Sequence, residues 1–211
     1  MTGQDGVTNL SGVLVSRETL ERLRDFEELF KHWNKSINLA APSTLADFWK
    51  RHVLDSIQIW RYRQGAKNWL DLGSGGGLPG VIIGILAVGE DLHVTLVESN
   101  NKKAAFLRTC VSRYGLPVDV LTKRIENVDT KNTVDVISAR ALADLNMLLT
   151  MSSRWLGPGA GRALYHKGRD YAAEIVEARD RWAFDLIEHQ SVVDPMSRIL
   201  EISNVKRLEH S

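Results

Sequence analysis

The N-terminal third of the chain carries apolar residues at three- and four-residue spacing, which predicts amphipathic helices. Ser16 is placed to cap the first helix, whose apolar face comprises Leu20, Leu23, Phe26, Phe30 and Trp33. Thr44, with Asp47 as a capping-box partner, is placed to cap a second helix, whose apolar face comprises Leu45, Phe48, Trp49, Val53, Ile57 and Trp60. We therefore expect a helical N-terminal cap over residues 1–65. Its first 12 or so residues are polar and glycine-bearing, and we expect them to be disordered.

After Gly65 the pattern alternates between short apolar runs and amphipathic segments. Strands are predicted near 68–72, 92–97, 117–121, 134–138, 162–166, 184–193 and 198–204, and helices near 79–88, 101–114, 143–155 and 169–181. This alternation predicts an α/β fold with a mostly parallel, Rossmann-like sheet over residues 66–207. The last two strands have a short link and are expected to pair as an antiparallel hairpin.

Composition limits the classes of function. The 211 residues are 44% hydrophobic with a formal net charge of +1, so no global basic field indicates nucleic acid. The single cysteine, Cys110, stands among apolar neighbours and is expected in the core. The six histidines show no metal-ligand spacing, so no metal is expected. Without a signal peptide or a membrane-length apolar run, the chain is expected to be cytoplasmic, and we expect a monomer.

A glycine-rich loop follows the first predicted sheet strand, where residues 69–80 read Trp-Leu-Asp-Leu-Gly-Ser-Gly-Gly-Gly-Leu-Pro-Gly. The spacing of Gly75, Gly77 and Gly80 also fits a dinucleotide site, but Pro79 removes one N–H donor that a pyrophosphate needs. Asp71 would repel a pyrophosphate and would suit the ammonium group of S-adenosylmethionine. A nucleotide-binding oxidoreductase nevertheless stays open as an alternative.

The next strand ends in Glu98, whose carboxylate can accept both hydroxyls of an adenosine ribose. The same carboxylate would reject the 2′-phosphate of NADP. Together with the loop, it favours S-adenosylmethionine as the cofactor.

Several stretches resemble one family. They are the loop 70–80, His32-Trp33-Asn34-Lys35-x-Ile37-Asn38-Leu39, Arg51-His52-x-Leu54-Asp55-Ser56, Ser138-Ala139-Arg140-Ala141 and His166-Lys167-Gly168. Together they resemble the glucose-inhibited division protein B family, also called ribosomal RNA small-subunit methyltransferase G, from about residue 16 to about residue 206. The resemblance implies a class I methyltransferase fold with a seven-stranded sheet. It also implies methyl transfer from S-adenosylmethionine to N7 of one guanine in 16S ribosomal RNA, either free or in an assembling small subunit.

The resemblance also implies roles for individual residues. Gly73 and Leu78 would contact the cofactor, Ile125 and Glu126 would flank its adenine, and Arg140 would reach both cofactor and substrate. The full predicted cofactor set is Asp71, Gly73, Gly75, Gly77, Leu78, Glu98, Ile125, Glu126 and Arg140.

Guanine N7 carries a lone pair and no proton, so the reaction needs no general base and no catalytic residue is assigned. The candidates for positioning the substrate are Arg140, Asn38, His52, Lys167 and Arg198. His52 and Asp55 lie three residues apart on one helix face. A structural hydrogen bond that holds the cap on the sheet is favoured for this pair over a catalytic dyad.

Basic residues cluster at several places along the chain, including Lys123 with Arg124 and Lys206 with Arg207. Each cluster alone is typical of a solvated face, but several around one sheet edge can bind RNA phosphates. Arg124 fits either interpretation equally. A non-catalytic RNA-binding module on a methyltransferase fold therefore remains a second alternative.

Overall fold

Residues 6–130 and 133–209 are described by a computed structural model of the chain, which opens with a β-hairpin. Strand β1 (Val7–Leu10) pairs antiparallel with β2 (Val13–Ser16) around Ser11 and Gly12, both at positive φ. This differs from the disorder expected for the first 12 residues, of which 1–5 lie outside the described residues. The physical reason is that β2 buries Val13 and Val15, its alternate residues, in the core.

Helix α1 (Arg17–Asn34) begins as predicted, because the Ser16 hydroxyl accepts a hydrogen bond from the Thr19 N–H. Its apolar stripe buries Leu23, Phe26 and Phe30 completely. Asp25, on the same helix, accepts two hydrogen bonds from Arg113 at 2.6 Å and thereby ties α1 to a helix of the sheet domain.

The predicted second helix is replaced by a succession of short turns. A 3₁₀ turn (Pro42–Asp47) leads into a π-turn (Trp49–Leu54), then α2 (Asp55–Ile57) and a second 3₁₀ turn (Gln58–Tyr62). Thr44 does not cap a helix. Its hydroxyl instead donates to the Ala41 carbonyl at 2.8 Å, so the predicted capping box is wrong.

The central sheet has seven strands. They are β3 (Asn68–Leu72), β4 (His93–Val97), β5 (Val118–Leu121), β6 (Val136–Arg140), β7 (Arg162–Lys167), β8 (Trp182–Gln190) and β9 (Arg198–Arg207). Their order is β5-β4-β3-β6-β7-β9-β8. The first five run parallel, whereas β9 is antiparallel to both β7 and β8, which confirms the predicted terminal hairpin.

Four helices flank the sheet. They are α3 (Gly80–Leu86), α4 (Asn101–Tyr114), α5 (Leu145–Ser152) and α6 (Tyr171–Arg179). Gly115 ends α4 in the left-handed conformation, as predicted.

Neighbouring residues of a strand point to opposite faces of the sheet, which separates two apolar cores. On β6, for example, Val136 joins the core under α1, α3 and α4, whereas Ile137 joins the core under α5 and α6. The first core also contains Phe30, Phe48 and Phe106, so the N-terminal helical segments pack directly on the sheet helices. The N-terminal segments thus share the side of the sheet that α3 and α4 cover.

Candidate active site

A cavity of about 400 Å³ lies at the carboxyl ends of β3, β4 and β6, within the size range of small-molecule sites. The predicted residues that line it are Gly73, Gly75, Leu78, Glu98, Ile125, Glu126 and Arg140. The structure adds residues outside the predicted cofactor set, among them Leu39, Ser74, Gly76, Ser99, Leu142 and Met151. Ser99 directly follows Glu98 and Leu142 lies two residues after Arg140, and these positions beside predicted strand ends could have indicated them. We call this space the cofactor cavity.

The glycine loop forms one wall of this cavity in a conformation that needs glycine. Gly73 has φ +62°, and a β-carbon there would lie 2.5 Å from a Leu142 methyl carbon. Gly77 also has positive φ, but it does not line the cavity, and a β-carbon there would collide with Val81 at the start of α3. Gly77 therefore fixes the packing of the loop on α3.

Glu98 is held in place by backbone donors. Its Oε2 accepts from the Gly75 N–H at 2.8 Å, and its Oε1 accepts from the Asn100 N–H at 2.7 Å. A carboxylate can accept about four hydrogen bonds, so each oxygen of Glu98 can still accept one from a ligand in the cavity. This arrangement fits a vicinal diol such as the ribose of S-adenosylmethionine.

Asp71 lies beneath the loop and does not line the cavity. It is 1% exposed, and its Oδ1 accepts from the Ser138 hydroxyl at 2.5 Å. A β-carbon on Gly80 would lie 2.5 Å from its Oδ2, so the carboxyl group packs directly under the loop. Burial raises the pKa of Asp71 to about 6, against the opposing effect of the hydrogen bond from Ser138. A direct contact of Asp71 with the cofactor ammonium stays a prediction.

Arg140, the last residue of β6, joins the sheet to the N-terminal segments. Its Nη1 donates to the Arg51 carbonyl at 3.1 Å and to Asp55 Oδ2 at 3.2 Å, and its Nη2 lies 3.0 Å from His52 Nδ1. His52 and Asp55 are thus both bonded to Arg140 of the sheet, which agrees with the structural role favoured for this pair, a hydrogen bond that holds the cap on the sheet. The predicted strand end at 138 was two residues short, which places Arg140 in the strand.

His52 is neutral and fully engaged. Because Arg140 can only donate, Nδ1 must be the acceptor, and Nε2–H donates to the Thr44 hydroxyl at 2.9 Å. Burial, together with the charge of Arg140, lowers the pKa of His52 to about 4. The side chain therefore has no nitrogen left to act as a general base.

A second cavity of about 240 Å³ adjoins the first and shares Arg140 and Ala141 with it. Ala141 has φ +50°, a strained conformation for a residue with a β-carbon. Two predicted substrate-positioning residues, Lys167 and Arg198, also line this second cavity. The backbone turn after β6 thus forms the partition between the two spaces.

The remaining candidate, Asn38, is exposed and lines neither cavity. Its neighbour Asn34 shapes the connector instead, because the Asn34 side chain accepts from the N–H groups of Leu39 and Ala40. Arg124 lines the cofactor cavity, and Arg154 holds the adjoining turn by donating to the carbonyls of Ile125 and Glu126.

The strand order and the cavity at the carboxyl ends of the strands are those of the class I methyltransferase fold. Solved structures with this fold include an O-methyltransferase from Bacillus cereus in complex with SAH (TM-score 0.55, 17% identity, covering 90% of this chain and 91% of that one). A ribosomal protein L11 methylase from Lactobacillus delbrueckii subsp. bulgaricus is also similar (TM-score 0.56, 15% identity, covering 72% and 78%).

The GidB family model, rRNA small subunit methyltransferase G, matches residues 19–202, and the chain belongs to this family. Its relatives include the ribosomal RNA small subunit methyltransferases G of Brucella ovis (52% identity, covering 92% of this chain and 91% of that one) and Rhizobium meliloti (52%, covering 94% and 95%). The chain is therefore a ribosomal RNA methyltransferase with S-adenosylmethionine as its cofactor, and the oxidoreductase alternative is not favoured.

None of the helices in residues 6–130 and 133–209 is long and apolar enough to cross a membrane.

Proposed function

We propose that this chain methylates N7 of one guanine in 16S ribosomal RNA. The observation that carries the proposal is the junction of the two cavities at Arg140 and Ala141. One cavity suits an adenosine-containing cofactor, and the other is large enough for a single base and opens beside it. Bound S-adenosylmethionine would supply an electrophilic methyl group at this junction.

The chain's own residues would bind and orient the reactants. Glu98 would accept the ribose hydroxyls, and the Gly73–Gly76 backbone would permit close approach of the cofactor. Arg140, fixed by three partners from the N-terminal segments, would hold the wall between cofactor and base. Because guanine N7 has no proton, alignment and exclusion of water are the main requirements.

The RNA backbone would meet cations around the second cavity. Asp194 lies in the loop that precedes β9, and its pKa is lowered mainly by hydrogen bonds from the Met196 N–H and the Ser197 hydroxyl, with a smaller effect of the nearby cations Arg169 and Arg51. Arg198 lines the cavity itself. Lysine and arginine contacts to phosphate position RNA without reading its sequence, which suits a chain whose net charge is only +1.

We further propose that residues 1–65 act as a cap over the catalytic domain, residues 66–207. The cap contributes Leu39 to the cofactor cavity and Asp55 to the second one. A ribosomal substrate implies a cytoplasmic location, and we propose that one copy of the chain suffices for activity.

Mass spectrometry of 16S ribosomal RNA tests this function. RNA from cells that lack the chain should lose one N7-methylguanine, and the purified protein with S-adenosylmethionine should restore it on small subunits or on free RNA. An unchanged RNA modification profile would contradict the proposal. Tight RNA binding without methylation would instead favour the non-catalytic alternative.

A further inference from the structure

Two carboxylates line the second cavity, and they differ in how far their oxygens are occupied. Asp55 already accepts from a protein side chain at each oxygen: Oδ1 accepts from Gln58 Nε2 at 2.8 Å, and Oδ2 accepts from Arg140 at 3.2 Å. Asp55 therefore serves to position Arg140.

Glu174, on α6, is occupied at one oxygen only. Its Oε2 accepts from the Leu145 N–H at 2.6 Å and from the ammonium group of Lys167. Within the described part of the chain, no donor lies on Oε1. The side chain is 22% exposed and belongs to the wall of the second cavity, not to that of the cofactor cavity.

Lys167 was predicted to position the substrate, but its ammonium group is engaged by other residues of the chain. Its Nζ donates to the Ala143 carbonyl at 3.0 Å as well as to Glu174. The lysine side chain is only 7% exposed, so it acts as an anchor that fixes the Glu174 carboxylate beside the cavity.

Guanine has opposite chemistry on its two edges. N7 and O6 accept hydrogen bonds on the major-groove edge, whereas N1–H and the 2-amino group donate on the Watson–Crick edge. If N7 points at the cofactor cavity, the donor edge must lie in the second cavity, away from the shared wall. Adenine has an unprotonated N1 on that edge, which a carboxylate would repel.

We propose that Glu174 Oε1 accepts hydrogen bonds from N1–H and the 2-amino group of the target guanine, and that it makes the site specific for this base. This inference rests on the proposed function, because it takes N7 of guanine as the methyl acceptor. It assigns Glu174 to base selection, Lys167 to holding Glu174 and Arg140 to the wall beside N7.

The test compares guanosine with inosine, which lacks only the 2-amino group. Small subunits would be reconstituted with 16S RNA that carries either nucleoside at the position methylated by the wild-type protein. Wild type should prefer guanosine by about tenfold or more in kcat/KM, the worth of one hydrogen bond to a charged group.

Glu174→Gln should reduce this preference to less than about threefold. The donors of Leu145 and Lys167 both require an oxygen at the Oε2 position, so the new amide NH₂ must take the Oε1 position, where it meets the donors of the base. Glu177→Gln, an exposed carboxylate one turn along α6, is the matched control and should keep the wild-type ratio. Because the ratio is measured within one preparation, loss of folded enzyme cannot produce the change.

Retention of the wild-type ratio in Glu174→Gln would overturn the role of Glu174, as would equal use of both nucleosides by wild type. Failure of wild type to form N7-methylguanine on the guanosine substrate would overturn the proposed function first, and the role of Glu174 with it. The result with the guanosine substrate therefore distinguishes failure of the proposed function from failure of the role of Glu174 alone.

Discussion

The cofactor cavity and the second cavity are built in different ways. The first is organised around local backbone, because the glycine loop and the backbone-held carboxylate of Glu98 follow consecutive strands. The second is made of side chains from distant elements, with Arg140 reaching Asp55 and Lys167 reaching Glu174. A site made of local backbone can be recognised as a motif, whereas one made of long-range side-chain pairs becomes visible only in the fold.

Gly73→Asp should have the largest effect and should be confined to the cofactor cavity. The β-carbon has no room beside Leu142, and the added charge faces the cavity, so cofactor affinity should fall by more than about a hundredfold, or about 2.8 kcal/mol. Calorimetric titration of S-adenosylhomocysteine measures this. Gly89→Ala is the matched control, because Gly89 has φ +86° but open space around it, so strain alone should leave binding intact. Normal affinity in folded Gly73→Asp would refute the placement of the cofactor.

Arg140→Ala should affect both cavities, since this residue lies in the wall that they share. Loss of alignment between cofactor and base should lower single-turnover methyl transfer by about a hundredfold, even at saturating cofactor. The exposed Arg181→Ala is the control for loss of one positive charge. If saturating cofactor restored the wild-type rate, Arg140 would belong to cofactor binding alone.

His52 tests how the N-terminal segments depend on the Arg140 network. The pKa of His52 in the folded chain is about 4, below the ordinary value of 6.5. The contribution of neutral His52 to the free energy of unfolding is therefore complete above pH 6.5 and is lost as the pH falls toward 4, because the unfolded chain takes up the proton first. His52→Gln removes this titration, so its stability deficit relative to wild type should shrink by about 1–3 kcal/mol between pH 7 and pH 4.5. Urea unfolding at both pH values measures the difference. Parallel curves for the two proteins would contradict a buried neutral His52.

The difference between the cavities also explains what the sequence could predict. The strand 68–72 and the helix 101–114 agree with β3 and α4, because apolar periodicity and capping residues are local signals. The N-terminal hairpin and the broken helical run after Pro42 did not follow from such signals, since tertiary packing of Val15 and the bond between Thr44 and His52 decide them. Glu174 carries no signal at all, because an isolated acidic residue on a helix resembles any solvated side chain.

Glu98→Gln should weaken cofactor binding by about tenfold, since hydrogen bonds to a charged acceptor are worth about 1.5–3 kcal/mol. The amide keeps one oxygen, but its NH₂ must face either the Gly75 or the Asn100 N–H, so the loop also loses an acceptor. Glu90→Gln is the control, because Glu90 pairs with Arg63 on the surface, away from the cofactor cavity. Calorimetry that gave an unchanged dissociation constant would make Glu98 a loop-bracing residue without contact to the ribose.

The smallest expected effect is that of pH on the chemical step. If the nucleophile is guanine N7, no proton must leave the base, so single-turnover transfer should be nearly flat between about pH 6.5 and 8.5. The structure gives this expectation a physical basis at His52, where both ring nitrogens are engaged by Arg140 and Thr44 and the pKa lies near 4. His52→Ala should therefore impair docking of the N-terminal segments but leave the residual rate independent of pH.

A steep rise of rate with pH that vanished in His52→Ala would require a base-assisted reaction at a protonated nitrogen or oxygen. The second cavity would then have to deliver a different edge of the base to the cofactor than the one inferred from Glu174.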